Sequence, residues 1–227
     1  MSLTILIPAR DEELIIGKTI NTIIKSSIKK LNYEIIVIND FSKDNTYKIV
    51  NKIKRKNKRI KIYNNSKPGL GSAIRIGIKK SIKEYVCIYM ADKSDSIADL
   101  LKYYMLIKKN NLDAVFGSRF IGNSKVRGYP LKKLFFNRIF NNACKIFFLN
   151  NYNDYTNAFK IYKKKMLMSF FPIVSENFNV FLELPLKTVS RNFNFQIIPI
   201  SWINRKKGKS KFAIKELTSK YFFTFVY

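Results

Sequence analysis

Along the first half of the chain, apolar runs of strand length alternate with segments whose apolar residues recur every three or four positions. Residues 3–7 read as a strand and 14–26 as a helix. The pattern repeats with a strand at 33–38 and a helix at 45–53, then a strand at 59–63 and a helix at 72–82. A strand at 85–90, a helix from about 97 to 108 and a strand at 114–117 continue it. This rhythm predicts an α/β fold with a mostly parallel central sheet and helices on both faces. Right-handed crossovers would bring the loops that follow the strands to one edge of that sheet.

The rhythm breaks after Ser118. A basic loop leads into a long amphipathic helix over 131–148. Extended pieces are expected at 158–162 and 195–202, with a helix near 181–191 between them. Residues 214–226 again show helical spacing. No linker or internal repeat divides the chain, so residues 1–227 are expected to form a single domain.

Composition narrows the chemistry. At 227 residues and 47% hydrophobic content, the chain can bury a sizeable core. It has no histidine, which removes Ser-His-Asp and Cys-His catalysis and His-ligated zinc. A metal site would have to use oxygen ligands. Cys87 and Cys144 are isolated in apolar patterns and read as buried thiols of a reducing compartment. Strand-like sequence begins at once, so no signal peptide is expected. No apolar run is long enough to span a bilayer.

The net charge of +28 admits a nucleic-acid binder, a protein on an anionic membrane, or a coding bias towards Lys, Ile and Asn. Lys greatly outnumbers Arg, and no Arg-rich or aromatic stacking motif of a nucleic-acid module is present. Nucleic acid is therefore not the expected partner. The basic run at 52–61 reads as a solvated helix end and loop.

The chemistry-bearing residues sit where strands are predicted to end. Tyr89, Met90, Ala91, Asp92, Lys93, Ser94 and Asp95 form an acidic loop at the end of a buried strand, where open α/β sheets bind ligands. Its carboxylates suit Mg²⁺ or Mn²⁺ held against a diphosphate. Equally, Asp92 could form a turn and Asp95 cap a helix. Pro8, Ala9, Arg10, Asp11, Glu12 and Glu13 follow the first strand, as an anion-attracting helix entry or a charge-favourable first turn. Asn39 and Asp40 end the second strand, where a polar pair can meet a base edge. Ser42 and Asp44, just beyond, also suit caps and turns. Gly69 and Gly71 precede the third helix and permit close backbone approach.

Taken in order, these segments resemble a family 2 glycosyltransferase of the GT-A (nucleotide-diphospho-sugar transferase) fold. The polyprenyl-phosphate (dolichol-phosphate) mannose synthase-like branch is the most similar. The resemblance runs through Ile7-Pro8-Ala9 with Glu12, Asn39-Asp40 with Asp44 and Thr46, and Gly69-Leu70-Gly71-Ser72-Ala73. It continues through Met90-Ala91-Asp92 with Asp95, Gly117-Ser118-Arg119-Phe120, and the stretch from Asp154 to Tyr162. Trp202, Arg205, Gly208, Ser210, Lys211 and Phe212 close it. Met90 stands where the usual Asp-X-Asp motif has its first acid.

The resemblance implies a nucleotide-sugar-binding half at 1–118, and an acceptor half with a C-terminal helix at 119–227. Pro8, Ala9, Glu12, Asn39, Asp40 and Gly71 would bind the donor. Asp92 would hold Mg²⁺ or Mn²⁺, and Asp92, Asp95, Arg119 and Arg205 would form the catalytic group. Lys133, Asn137, Asp154, Ser210 and Lys211 would meet the acceptor. The implied reaction is inverting transfer of a hexose from a GDP- or UDP-sugar to a lipid phosphate (polyprenyl phosphate) or related envelope-glycan acceptor, at the cytoplasmic face of the membrane. A phosphate acceptor needs no general base, whereas a hydroxyl acceptor would need one from Asp95, Asp154 or Glu183. Alternatives are a polysaccharide-extending transferase and a non-catalytic basic module binding nucleic acid or membrane. Tyr162 and Trp202 read as core anchors. Residues 214–223 mix cations with bulky apolar side chains and suit peripheral membrane contact.

Overall fold

A computed structural model describes residues 2–205 together with Tyr221, Phe223 and Thr224. The expectations for Ser210, Lys211 and most of 214–226 lie outside the described residues. The strands β1 (Leu3–Ala9), β2 (Tyr33–Asn39), β3 (Ile60–Asn64) and β4 (Tyr85–Ile88) alternate with α1 (Ile16–Lys25), α2 (Thr46–Lys56) and α3 (Leu70–Lys80). Then come α4 (Ile97–Lys109), β5 (Ala114–Ser118), β6 (Lys125–Arg127) and α5 (Leu131–Phe147). The rest is β7 (Lys160–Lys163), α6 (Lys164–Ser169), α7 (Val180–Ser190), β8 (Phe195–Pro199) and β9 (Ser201–Ile203).

The main sheet has seven strands in the order β3-β2-β1-β4-β7-β5-β8. All its pairings are parallel except those of β7, which runs antiparallel between β4 and β5. Every residue of β1 and β2 is buried, as a strand covered on both faces requires. Alternation then assigns the faces. Leu3, Ile5 and Ile7 pack with Ile16, Ile20 and Ile23 of α1 and with Leu100, Tyr103 and Ile107 of α4. Leu6, Ile36 and Ile38 pack on the other face with Ile74 and Ile78 of α3, and with α6 and α7.

After β3 the chain returns past β1 to lay down β4 on its other side. That reversal of direction opens a crevice at the strand tips, the place where this architecture binds ligands. The extended stretch expected at 195–202 proves to be two strands. β8 joins the main sheet, while β9 leaves it to pair with β6 in a separate two-stranded ribbon. The Ile200 N–H makes the last bond to β5, to the Ser118 carbonyl at 3.1 Å, and the Ile200 carbonyl accepts the Lys125 N–H of β6 at 3.2 Å, so the chain passes from one sheet to the other at this residue. Cys87 and Cys144 are buried free thiols, and burial pushes the Cys144 pKa up to about 12.

Candidate active site

The loop after β4 is built largely from its own polar groups. Asp95 accepts the Met90 N–H at 2.9 Å, and Asp92 accepts the Ser94 N–H at 3.0 Å. Tyr89 Oη donates to the Asp95 carbonyl at 2.7 Å. The cap of α4 is Ser96, whose Oγ accepts the Asp99 N–H at 3.4 Å, so the capping alternative for Asp95 is corrected. Asp92 does form the turn, with its second carboxylate oxygen 3.5 Å from Arg205 Nε. Asp95 is almost wholly enclosed, and burial pushes its carboxyl pKa up to about 7, with the Asp92 charge adding to the effect.

The acids after β1 divide their work. Asp11 and Glu13 accept the N–H groups of Lys43 and Asn45, while Asp44 accepts that of Glu13. These bonds zip the loop after β1 to the loop after β2. The first-turn alternative is thereby corrected, because α1 begins only at Ile16, beyond the acids. Glu12 instead faces the crevice, and both its oxygens accept Arg205 Nη2, at 2.6 and 2.8 Å.

Asp40 Oδ1 accepts Asn65 Nδ2 at 2.7 Å and the Gly69 N–H at 2.9 Å, which ties the tip of β2 to the entry of α3. Asn39 donates to Asn64 Oδ1 at 2.9 Å, and its own buried Oδ1 has no hydrogen-bond partner among the described residues. Gly69 adopts φ 133°, a conformation open to glycine. Gly71 does not line the crevice. Its N–H bonds the Glu176 carbonyl at 2.9 Å, and an added Cβ would strike the Ser175 carbonyl oxygen. Its glycine requirement therefore comes from the segment before α7.

On the far wall, Arg119 donates to both carboxylate oxygens of Asp154, from Nη2 at 2.7 Å and from Nε at 2.9 Å. The Arg119 backbone N–H adds a third bond to Asp154 at 2.9 Å. Burial opposes the guanidinium charge, but the adjoining carboxylate outweighs it and raises the Arg119 pKa. The Tyr129 and Trp202 rings lie 5.2 and 5.7 Å from the guanidinium carbon. Asn157 Nδ2 and Tyr152 Oη both donate to the Gly117 carbonyl, so the 152–157 segment is fastened to the tip of β5.

These walls enclose a cavity of about 560 Å³. Pro8, Ala9, Glu12, Asp40, Asp92, Asp95, Arg119, Lys133, Asn137 and Arg205 all line it, so residues scattered from 8 to 205 converge. Asp154 stands behind Arg119 and does not line it, nor does Asn39. Of the base candidates, Asp154 is engaged by Arg119. Glu183 is held below its usual pKa, against the pull of burial, by bonds from Lys187, Ser175 and Val174. Only Asp95 of the three faces the cavity. Trp202, read from sequence as a core anchor, is half-buried and lines the cavity, whereas Tyr162 is in the core as expected. Tyr129, Pro130, Asn177 and Asn204 also line it and carried no signal in the sequence beyond their neighbourhood, whereas Phe178, which lines it too, stands where the resembled family commonly has a Phe-Glu pair.

A profile for the family described as glycosyl transferase family 2 matches residues 4–171. The chain belongs to glycosyl transferase family 2. Among curated relatives, a probable glycosyltransferase YdaM of Bacillus subtilis is 33% identical over 108 residues, covering 46% of this chain and 25% of that protein. A poly(ribitol-phosphate) beta-glucosyltransferase of Bacillus spizizenii is 27% identical over 119 residues, covering 52% of this chain and 19% of its own. The chain thus spans a quarter or less of the length of these relatives. Glucosyl-3-phosphoglycerate synthase of Mycobacterium tuberculosis, solved with Mn²⁺, uridine diphosphate and glucosyl-3-phosphoglycerate, superposes with a TM-score of 0.72 at 15% identity. That match covers 99% of this chain and 78% of the other. S. aureus TarS 1-349 superposes at 0.64 with 20% identity, covering 92% and 59%. The likeness establishes the α/β fold expected of GT-A glycosyltransferases.

Proposed function

We propose that this family 2 domain transfers a hexose from a nucleoside-diphosphate sugar to a phosphate-bearing acceptor. The observation that carries the reading is the cavity in which the Asp92 carboxylate, at the tip of β4, meets Glu12, Asp40 and three arginines, Arg10, Arg119 and Arg205. The donor would lie across the tips of β1, β2 and β4, with residues 1–118 as its half and the later residues as the acceptor half. Uridine diphosphate is the favoured donor nucleotide, since the M. tuberculosis neighbour was solved with it. The unsatisfied Asn39 Oδ1 suits an N–H of a base edge, although Asn39 is not among the residues that line the cavity.

A divalent cation fits the chemistry of Asp92. The donor set around the loop is all oxygen, and Mg²⁺ or Mn²⁺ commonly takes one or two carboxylates, completing its shell from phosphates and water. Asp92 would hold the ion through the oxygen now facing Arg205, and the ion would offset negative charge on the departing diphosphate. Arg205 would then turn from Asp92 towards phosphate oxygens, where its planar fork is well suited. Lys133 adds positive charge on the acceptor side, where Arg119 lines the same wall with its charge already matched by Asp154.

The cations of the acceptor half support a phosphate-bearing acceptor, which in the polyprenyl-phosphate branch would be a lipid-linked phosphate. One observation favours a second reading, transfer to a hydroxyl of a growing polymer. Asp95 lines the cavity with a pKa of about 7, within range of a general base. The name of the B. spizizenii relative points the same way.

The test is a thermal-shift screen of UDP-glucose and GDP-mannose, each with and without Mn²⁺, on the parent chain and on Asp92→Asn. Ligand at about 100 times its Kd stabilises by roughly 2.7 kcal/mol. A Mn²⁺-dependent shift in the parent that Asp92→Asn loses supports the assignment. Full turnover by Asp92→Asn would refute it.

A further inference from the structure

The helix α5 is amphipathic in the reverse of the usual sense. A surface helix ordinarily turns its apolar stripe to the core and its polar side to water. In α5 the buried side carries Asn137 and Asn141 together with Cys144, which joins the core. Asn137 Nδ2 donates to Thr156 Oγ1 at 2.6 Å, and Asn141 Nδ2 donates to the Asn137 carbonyl at 2.7 Å. The outward side carries Leu131, Phe135, Ile139 and Ile146, which are 81%, 63%, 55% and 69% exposed. At 100° per residue these side chains fall within one sector of about 80°, which the exposed Asn142 shares, while Phe136 lies outside it, beyond Lys132. Lys132 and Lys145, both exposed, flank the sector. Phe140 does not share it, and its ring meets Tyr221 at 5.5 Å.

We infer that the outer face of α5 docks on an anionic lipid surface. Three observations choose this occupant. First, the apolar stripe is bordered by cations in a chain of net charge +28, the composition of a helix lying in a membrane interface. Second, a second copy of the chain is disfavoured by area. A helix of 17 residues offers a strip roughly 25 Å long and 10–12 Å wide. That is on the order of 300 Å², against roughly 800 Å² per partner in a stable complex. A second copy would also bring like-charged lysines together. Third, the inner side of the same helix lines the cavity through Lys133 and Asn137. Docking α5 therefore brings the acceptor wall to the level of the headgroups. No helix among the described residues is long and apolar enough to cross a membrane, so the contact is interfacial.

The inference deepens the lipid-linked-acceptor reading and takes its purpose from it. Its test needs no turnover, so the two can fail separately. The full chain is sedimented with vesicles of phosphatidylcholine alone and with vesicles containing phosphatidylglycerol, at low and high salt. The expected result is binding to the anionic vesicles, weakened by salt. A Phe135→Glu, Ile139→Glu double variant should bind at least tenfold more weakly. Leu131→Ser with Ile146→Ser, at the two ends of the stripe, should show a smaller loss, which guards against misfolding of the first variant. The UDP-glucose thermal shift should persist in both variants, because none of these four side chains lines the cavity. Absence of parent binding to anionic vesicles, or equal binding by parent and both variants, overturns the proposal. So does a parent dimer in sedimentation velocity that the double variant abolishes, since a second copy would then cover the face.

Discussion

The buried ion pair of Arg119 and Asp154 sets up a measurement that separates a structural pair from an acceptor site. Asp154 is wholly buried and Arg119 is 9% exposed. Asp154→Asn keeps the shape and removes the charge. The carboxylate now accepts three N–H groups, from Arg119 N, Nε and Nη2, all at 2.7–2.9 Å. An amide can accept on one atom only, so its NH₂ would face a guanidinium N–H. The guanidinium would remain desolvated without a counter-ion. Removing one partner of such a pair costs roughly 3–5 kcal/mol. For a domain of this size each kcal/mol lowers Tm by about 2–4 °C, so a fall of about 6–20 °C is expected. Urea unfolding followed by circular dichroism gives the free energy directly. Arg119→Met with Asp154→Leu should recover much of the loss, because the charge and its counter-ion leave together. If Asp154→Asn costs less than about 1 kcal/mol, the guanidinium has another partner or access to water, and the buried-pair argument is wrong.

Arg205→Lys should impair acceptor use more than donor binding, because a lysine cannot reproduce the planar fork. Separate donor and acceptor KM values check this, and equal effects on both would count against it. Asp95 has a folded-state pKa raised to about 7 from 3.8, so the folded state retains a proton that the unfolded state releases. The stability this contributes is complete below about pH 4 and is lost as pH rises towards 7. Asp95→Asn should therefore gain stability relative to the parent across that window, and a constant difference between pH 4 and 8 would refute the shift. Gly71→Ala, which drives a Cβ into the Ser175 carbonyl, should destabilise by about 1–3 kcal/mol in urea unfolding. Gly122→Ala, where nothing lies within 4 Å, reports only the strain of its φ of 45° and should cost less.

The periodicity of the chain determined the elements of the first half and their parallel order. Strands buried on both faces must be nearly all apolar, and helices packed on one side must repeat every three to four residues, so local composition and burial carry the same information. Placing Asp92, Glu12 and Asp40 at strand tips needed no more than that order. The antiparallel insertion of β7 was not legible, because an extended segment has the same alternation in either direction. The break at Ile200 and the β6–β9 ribbon escaped for a related reason, since strands of three residues are too short for a period to register. Only tertiary structure decided what each polar side chain faces. It engaged Asp154 with Arg119, gave Glu183 to the amides of Val174 and Ser175, and set Gly71 against the backbone before α7. It also turned the apolar side of α5 outward, a choice no helical wheel can make, because a wheel shows that two faces differ but not which one meets the protein. That choice depends on partners such as Thr156 and Asn153, which come to the helix from later in the chain and satisfy its polar side.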